Sequence, residues 1–210
     1  MTESELIREI LRGDKEKFRF IVEKYQQMVF RTCIGFLHNK DDADDLTQDV
    51  FIQAYQALQR FKGDSSFSTW LYRIAVNASL NKIRKSHLKL IIQKIENLTG
   101  GWSGSDVYPI IPDEDDPEKI LLRQEHIEWV QKALDKLPEN QRTAIVLSKY
   151  DDLSQKEIAE IMKTTEGAVE ALLQRAKKNL REKLSVHSKI DEDNRRKKSK
   201  IVSNHKNNLK

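Results

Sequence analysis

Apolar residues recur three and four positions apart through LIREIL, FRFIVEKYQQMVFRTCIGFL and LTQDVFIQAYQAL. That is the period of helices with one buried face, and no stretch sustains the two-residue alternation of a strand. The pattern predicts a small helical domain from Glu3 to about Lys85. Asp41 to Asp45 can cap and charge the start of its third segment, and Phe61-Lys-Gly-Asp-Ser-Ser ends that segment in a loop. In the helix that follows, SSFSTWLYRIAVNASLNKIRK, the residues Trp70, Arg73, Asn77, Asn81 and Arg84 fall within an arc of about 80° at roughly 100° per residue. Leu71, Tyr72, Ala75, Val76, Ala78 and Ile83 occupy the other side. The helix is therefore expected to bury one flank and to offer an aromatic and polar one to something planar and polar. LKLIIQKIENL either prolongs this helix or frays into the connection.

Between Thr99 and Pro117 the pattern gives way to TGGWSGSDVYPIIPDEDDP, which holds three of the four prolines, three of the seven glycines and an acidic cluster. Such a composition reads as a linker in which Trp102 and Tyr108 could dock on a neighbour. Helical periodicity resumes at Glu118, with Ile127, Val130, Ala133, Leu134 and Leu137 on one stripe. After Leu184 the chain lacks aromatic residues and a periodic apolar face, as a disordered tail does. The expectation is an all-α chain of two small helical domains, 1–90 and 118–185, joined by a flexible linker over 91–117 and followed by a basic tail over 186–210.

Charge changes this picture only locally. The chain has 37 basic and 33 acidic residues, for a formal charge of +4. Eight of the basic and three of the acidic residues lie in the tail, so the body is close to neutral and any basic surface on it must be local. No long uncharged apolar run and no charged-then-apolar amino terminus is present, which argues against membrane insertion or secretion and for the cytoplasm. The lone Cys33 excludes a disulfide within the chain and reads as a small buried hydrophobe beside Phe30, Ile34 and Leu37.

The second domain carries LSQKEIAEIMKTTEGAVEALLQRAKKNL. Ser154 and Glu157 have capping-box spacing and open a short helix, Lys163 to Thr165 give a turn, and Thr165 can cap a second helix. Val169, Leu172, Leu173, Ala176 and Leu180 form the buried stripe of that second helix, so the pair suggests a helix-turn-helix. Gly167, Glu170, Ala171, Gln174, Lys177 and Lys178 lie on the exposed arc. Gln can pair with adenine, Glu can accept from a cytosine amino group, and Lys can neutralise phosphate. An ordinary helical hairpin with a solvated polar face would carry the same pattern.

In the first domain, DADDLTQDVFIQAY crowds acids into one turn and follows them with Gln48, Phe51 and Gln53, a mixture better suited to a protein partner than to DNA, or simply to helix capping and core packing. On the next helix Trp70 could stack on a base, while Arg73 and Arg84 hold phosphates. No P-loop, HExxH, Gly-rich dinucleotide turn or paired metal-ligating histidine is present, so neither an enzyme nor a cofactor is expected. The five histidines are scattered, and Asp41, Asp42, Asp44 and Asp45 read as a solvated helix start rather than a metal site.

FKGDSSFSTWLYRIAVN, preceded by DDADDLTQDVFIQAY and followed after the linker by LPENQRTAIVLSKYDDLSQKEIAEIMKTTEGAVEALLQRAKKNLREKL, resembles a bacterial RNA polymerase sigma factor of the extracytoplasmic-function (ECF) group. The two motif sets stand in the family's order and cover almost everything but linker and tail. The resemblance implies that sigma region 2 binds the clamp of core RNA polymerase and opens the promoter DNA at the minus-ten element. Region 4 would grip the flap and read the minus-thirty-five element. It also implies an anti-sigma factor as a partner.

By position, the resemblance places polymerase binding on Asp42, Asp44, Asp45, Leu46, Gln48, Asp49, Phe51, Ile52 and Tyr55. Minus-ten contacts fall on Lys62, Ser65, Ser66, Phe67, Trp70, Arg73, Asn77, Asn81 and Arg84, with the loop from Lys62 to Phe67 capturing a flipped base. Helix-turn-helix contacts fall on Ser154, Thr165, Gly167, Ala168, Glu170, Ala171, Gln174, Arg175, Lys177 and Lys178. Gly167-Ala-Val followed by Glu170 departs from the Gly-Thr-Val and basic residue of many relatives, which shifts the expected contact toward Gln174, Lys177 and Lys178. The basic tail also exceeds the family pattern. A helix-turn-helix regulator that does not engage polymerase would explain only the second domain, and a helical adaptor would use both faces for proteins.

Overall fold

The computed structural model describes residues 2–97 and 117–185, with side chains described over 2–88 and 126–185. Residues 98–116 of the linker expected over 91–117, with Trp102 and Tyr108, and the tail expected over 186–210 lie outside the described residues. Among the described residues every regular element is a helix.

Helix α1 (Glu3–Leu11) opens with a capping box in which Thr2 and Glu5 exchange main-chain and side-chain hydrogen bonds. Helix α2 (Phe18–Leu37) runs on to His38, whose left-handed φ of 57° stops it. Helix α3 (Lys40–Ala57) takes its cap from Asn39, whose side-chain oxygen accepts from the Asp42 amide at 2.9 Å. The cap thus lies two residues before the acidic run, which fills the first turn and complements the helix dipole. Gly63, at φ 78°, turns the loop into α4 (Phe67–Asn97), capped by Ser66 Oγ accepting from the Thr69 amide at 3.1 Å. Since α4 continues through Asn97, LKLIIQKIEN prolongs the helix and takes up the first residues of the stretch expected as linker.

Val29 and Cys33 from α2, Ala43, Leu46, Val50 and Ala54 from α3, and Leu71 and Ala75 from α4 form the first core, all buried. Small residues at 43, 54 and 75 let the three helices approach closely, while aromatic rings close one end. There Phe61 meets Phe67 edge-on at 5.4 Å, and Tyr25 lies 5.6 Å from Phe67.

The second domain comprises α5 (Pro117–Asp135), α6 (Glu139–Lys149), α7 (Gln155–Met162) and α8 (166–185). Arg142 is buried and fastens α6 to the end of α5, its Nε donating to the Leu134 carbonyl at 3.1 Å and Nη2 to Asp135 at 2.7 Å. Ile127, expected on the apolar stripe of α5, is half exposed, while Ala133, Leu134 and Leu137 are buried as the stripe predicts.

The two domains touch, which periodicity could not foresee. Phe36, Tyr72 and Val76 are buried, yet they belong to the second core, packed with Val146, Leu147, Ile158, Ile161 and Val169. Tyr72 and Val76 lie on the buried flank as expected, and it is the second domain that covers them. Gly35, buried inside α2, fits this contact: a Cβ there would lie 2.8 Å from Val146 Cγ1 and 3.0 Å from Tyr150 Cγ. A mid-helix glycine costs about 0.5–1 kcal/mol relative to alanine, a cost offset here by the approach it permits.

Candidate nucleic-acid and polymerase interface

The helix-turn-helix forms as the spacing predicts. Ser154 and Glu157 make a reciprocal capping box, and the Glu157 carboxyl is held below its usual range by hydrogen bonds from the Ser154 hydroxyl and amide. Lys163, at φ 53°, ends α7, and Thr165 Oγ1 accepts from the Ala168 amide at 3.2 Å to start α8. Val169, Leu173 and Ala176 are buried against α7 and α6. Gly167, Glu170, Gln174, Arg175, Lys177 and Lys178 stand exposed, Ala168 and Ala171 half-buried, and Ser154 and Thr165 exposed at their caps. Gln174 Nε2 donates to Glu170 Oε1 at 3.3 Å, so the glutamate partly occupies the amide expected to read a base.

The α3 residues divide by face. Asp42, Asp44, Asp45, Gln48, Asp49 and Ile52 are exposed, Leu46 and Phe51 lie in the core, and Tyr55 is half-buried with its ring 5.0 Å from Phe18. Asp42 is tied to α4 by Lys82 at 2.7 Å. Ile52 is 55% exposed in the midst of these polar and acidic neighbours, an apolar anchor without cover among the described residues.

The α4 residues gather beside the loop. Lys62, Ser66, Asn77, Asn81 and Arg84 are exposed, Ser65 is half-buried, and Phe67 is buried. Trp70 is half-buried, its ring 5.3 Å from both Phe61 and Phe67, so one face of the indole packs on the core. Arg73 points across to the second domain. Its Nη2 donates to the Glu160 carbonyl at 2.7 Å, which also accepts from the Lys163 amide at 3.3 Å, and its Nε donates to the Ile161 carbonyl at 3.3 Å, both in the last turn of α7. Arg84 forks onto Glu139, raising its own pKa and lowering that of the carboxyl, in each case chiefly through the hydrogen bond.

Between the domains runs a cleft of about 510 Å³ lined by Trp70, Arg73, Asn77, Asn140, Thr143 and Lys163. Asn140 and Thr143 were not among the residues expected at a site, and Lys163 was expected only in the turn, because only the packing of the domains brings the three to α4. Elsewhere in the contact between the domains, Thr32 Oγ1 donates to Asp151 Oδ2 at 2.9 Å, and Arg31 Nε lies 3.5 Å from Asp151 Oδ1. The Asp151 side chain is wholly buried, and burial pushes its pKa up against the opposing pull of Thr32 and Arg31. His38 Nε2 stands 3.6 Å from Asp135 Oδ1, beyond hydrogen-bond distance.

A helix-turn-helix with a polar outward helix, joined to a helical domain with a polar aromatic edge, defines a two-domain protein of the transcription class. The family model for Sigma-70 region 2 matches residues 21–88, and that for Sigma-70, region 4 matches 127–180. The chain belongs to the RNA polymerase sigma factors, in their extracytoplasmic-function group. It is 35% identical to the ECF RNA polymerase sigma factor SigW of Bacillus subtilis over 179 residues, 85% of this chain and 94% of that protein. It is 34% identical to the RNA polymerase sigma-H factor of Pseudomonas aeruginosa over 180 residues, 83% of this chain and 90% of that one. In fold it is similar to CnrH, solved with the cytosolic domain of CnrY, at a TM-score of 0.57 and 24% identity, covering 86% of this chain and 96% of CnrH. Among the described residues no helix is long and apolar enough to cross a membrane.

Proposed function

We propose that this sigma factor divides its work among the three surfaces described above. The α4 edge and its loop read and open the minus-ten element, the outward side of α8 reads the minus-thirty-five element, and the acidic, Ile52-bearing side of α3 docks on core polymerase in the cytoplasm. Catalysis is left to the polymerase. The observation that carries this reading is the exposure of Lys62 in the loop and of Asn77, Asn81 and Arg84 on α4, the helix that also carries the half-buried Trp70 ring. A flipped base could stack on that ring, worth about 1–3 kcal/mol, while the asparagines bond its edge.

The test is transcription by purified core polymerase on pooled genomic fragments, with and without this protein. Discrete new start sites that are lost with Asn77→Ala or Asn81→Ala support the reading. Core binding without new transcripts would turn it to the adaptor role. We further propose an anti-sigma partner, on the strength of the family alone. Co-purification of a small protein from resting cells supports it, and its absence there counts against it.

A further inference from the structure

We infer that the cleft between α4 and the second domain is a binding site for a free purine nucleoside monophosphate. The inference shares Trp70 and Asn77 with the minus-ten reading but does not depend on it.

The lining sets the chemistry. At about 510 Å³ the cleft falls among small-molecule sites, which span about 300–1,000 Å³. Ile74 and Leu80 of α4 on one wall and Ile161 and Met162 of α7 on the other give it apolar sides, as such sites have. Set among them are polar groups that nothing satisfies. The side chains of Asn77, Asn140 and Lys163 make no hydrogen bond or ion pair with the described residues. No lining side chain is acidic, so the cleft favours an anion over a cation.

Each group selects one part of a ligand. The half-buried Trp70 indole stacks on a planar ring. A primary amide sets a donor beside an acceptor, which matches the purine edge that carries N7 and an exocyclic group. The cleft has one such amide from each domain, Asn77 on α4 and Asn140 on α6. Arg73 is already held by the Glu160 and Ile161 carbonyls, which leaves Lys163 as the open cation among the described lining residues. One ammonium suits one phosphate. A triphosphate or a DNA strand would bring several negative charges to a cleft with a single cation to meet them, which favours the free monophosphate.

The experiment is isothermal titration calorimetry of the full chain with AMP, adenosine, inorganic phosphate and a short oligodeoxyadenylate. AMP should bind saturably at one site, with adenosine and phosphate each weaker by about tenfold or more. Lys163→Gln should weaken AMP about tenfold and leave adenosine unchanged, since only the phosphate meets the ammonium. Asn140→Ala should weaken AMP and adenosine alike, by about threefold to tenfold. Both residues are exposed and belong to neither core, so thermal unfolding of each unliganded variant should match the parent.

Three results overturn the site: no saturable binding of AMP at millimolar concentration, phosphate bound as tightly as AMP, or an AMP affinity indifferent to both substitutions. None of the three touches the minus-ten reading. If the oligonucleotide binds with this dependence on Lys163 and Asn140 while AMP does not bind, the cleft serves a strand and the assignment to a free nucleotide falls.

Discussion

Arg84 and Glu139, 55 residues apart and in different domains, meet as a two-pronged ion pair, with Arg84 Nε 2.7 Å from Glu139 Oε1. Both side chains are about half exposed, so the pair adds little to stability, and its interest is competitive. A guanidinium that holds a carboxylate in this way holds a phosphate equally well.

Arg84→Ala is therefore expected to reduce the log-log salt slope of promoter binding by the polymerase complex by about 0.7–0.9, one phosphate contact. Binding measured across a salt series checks this. An unchanged slope would confine Arg84 to its pairing with Glu139.

Gln174→Ala should alter base preference in the minus-thirty-five element, with a loss of about 1–3 kcal/mol at one position. Lys177→Ala and Lys178→Ala should instead weaken all sequences alike and flatten the salt slope. Selection from a randomised duplex, carried out with each variant, separates the two outcomes. Because Glu170 shares the Gln174 amide, Glu170→Ala is expected to sharpen the preference rather than abolish it.

Ile52→Arg should cost core polymerase affinity about tenfold or more, as loss of an apolar anchor does, while leaving thermal unfolding of the free chain unchanged. Its exposure of 55% makes the second half of that expectation. Titration of labelled protein with core enzyme provides the affinity. Equal affinity would place the docking surface elsewhere on the first domain.

Cys33 is fully buried, and burial pushes its thiol pKa up to about 11. In the unfolded chain a thiol titrates near 8.5. The folded state thus keeps a proton that the unfolded state loses, and this contribution is complete below about pH 8.5 and lost as pH rises through about 11. Urea midpoints should fall over that window in the parent protein and fall less in Cys33→Ala, with a difference on the order of 1–2 kcal/mol. The native thiol should also resist disulfide reagents at pH 8.

What the sequence disclosed follows from which forces are local. Ser154 with Glu157, Thr165 ahead of α8 and the stripe of Val169, Leu173 and Ala176 were readable because capping and amphipathicity act within a few residues. Cys33 was readable as core for the same reason. Tyr72 and Val76 were correctly placed on a buried flank, yet the body that buries them lies beyond the linker, and helical period carries no such information. Trp70 shows the limit at the candidate site: its arc was right, but packing on Phe61 and Phe67 takes up part of the ring. Gly35 was the one local clue to the domain contact, an unexplained glycine in an otherwise strong helix. Asp151 gave no clue, since a carboxylate in a loop normally faces water.

The closed packing leaves Ile52 and the outward side of α8 uncovered while it engages Arg73 and Arg84. An encounter with polymerase would then run on a clock with two hands. Capture through α3 depends on concentration, whereas release of Arg73 and Arg84 is an internal event with its own rate. At high polymerase the formation of an open promoter would cease to speed up and would settle at the pace at which those two arginines change partners.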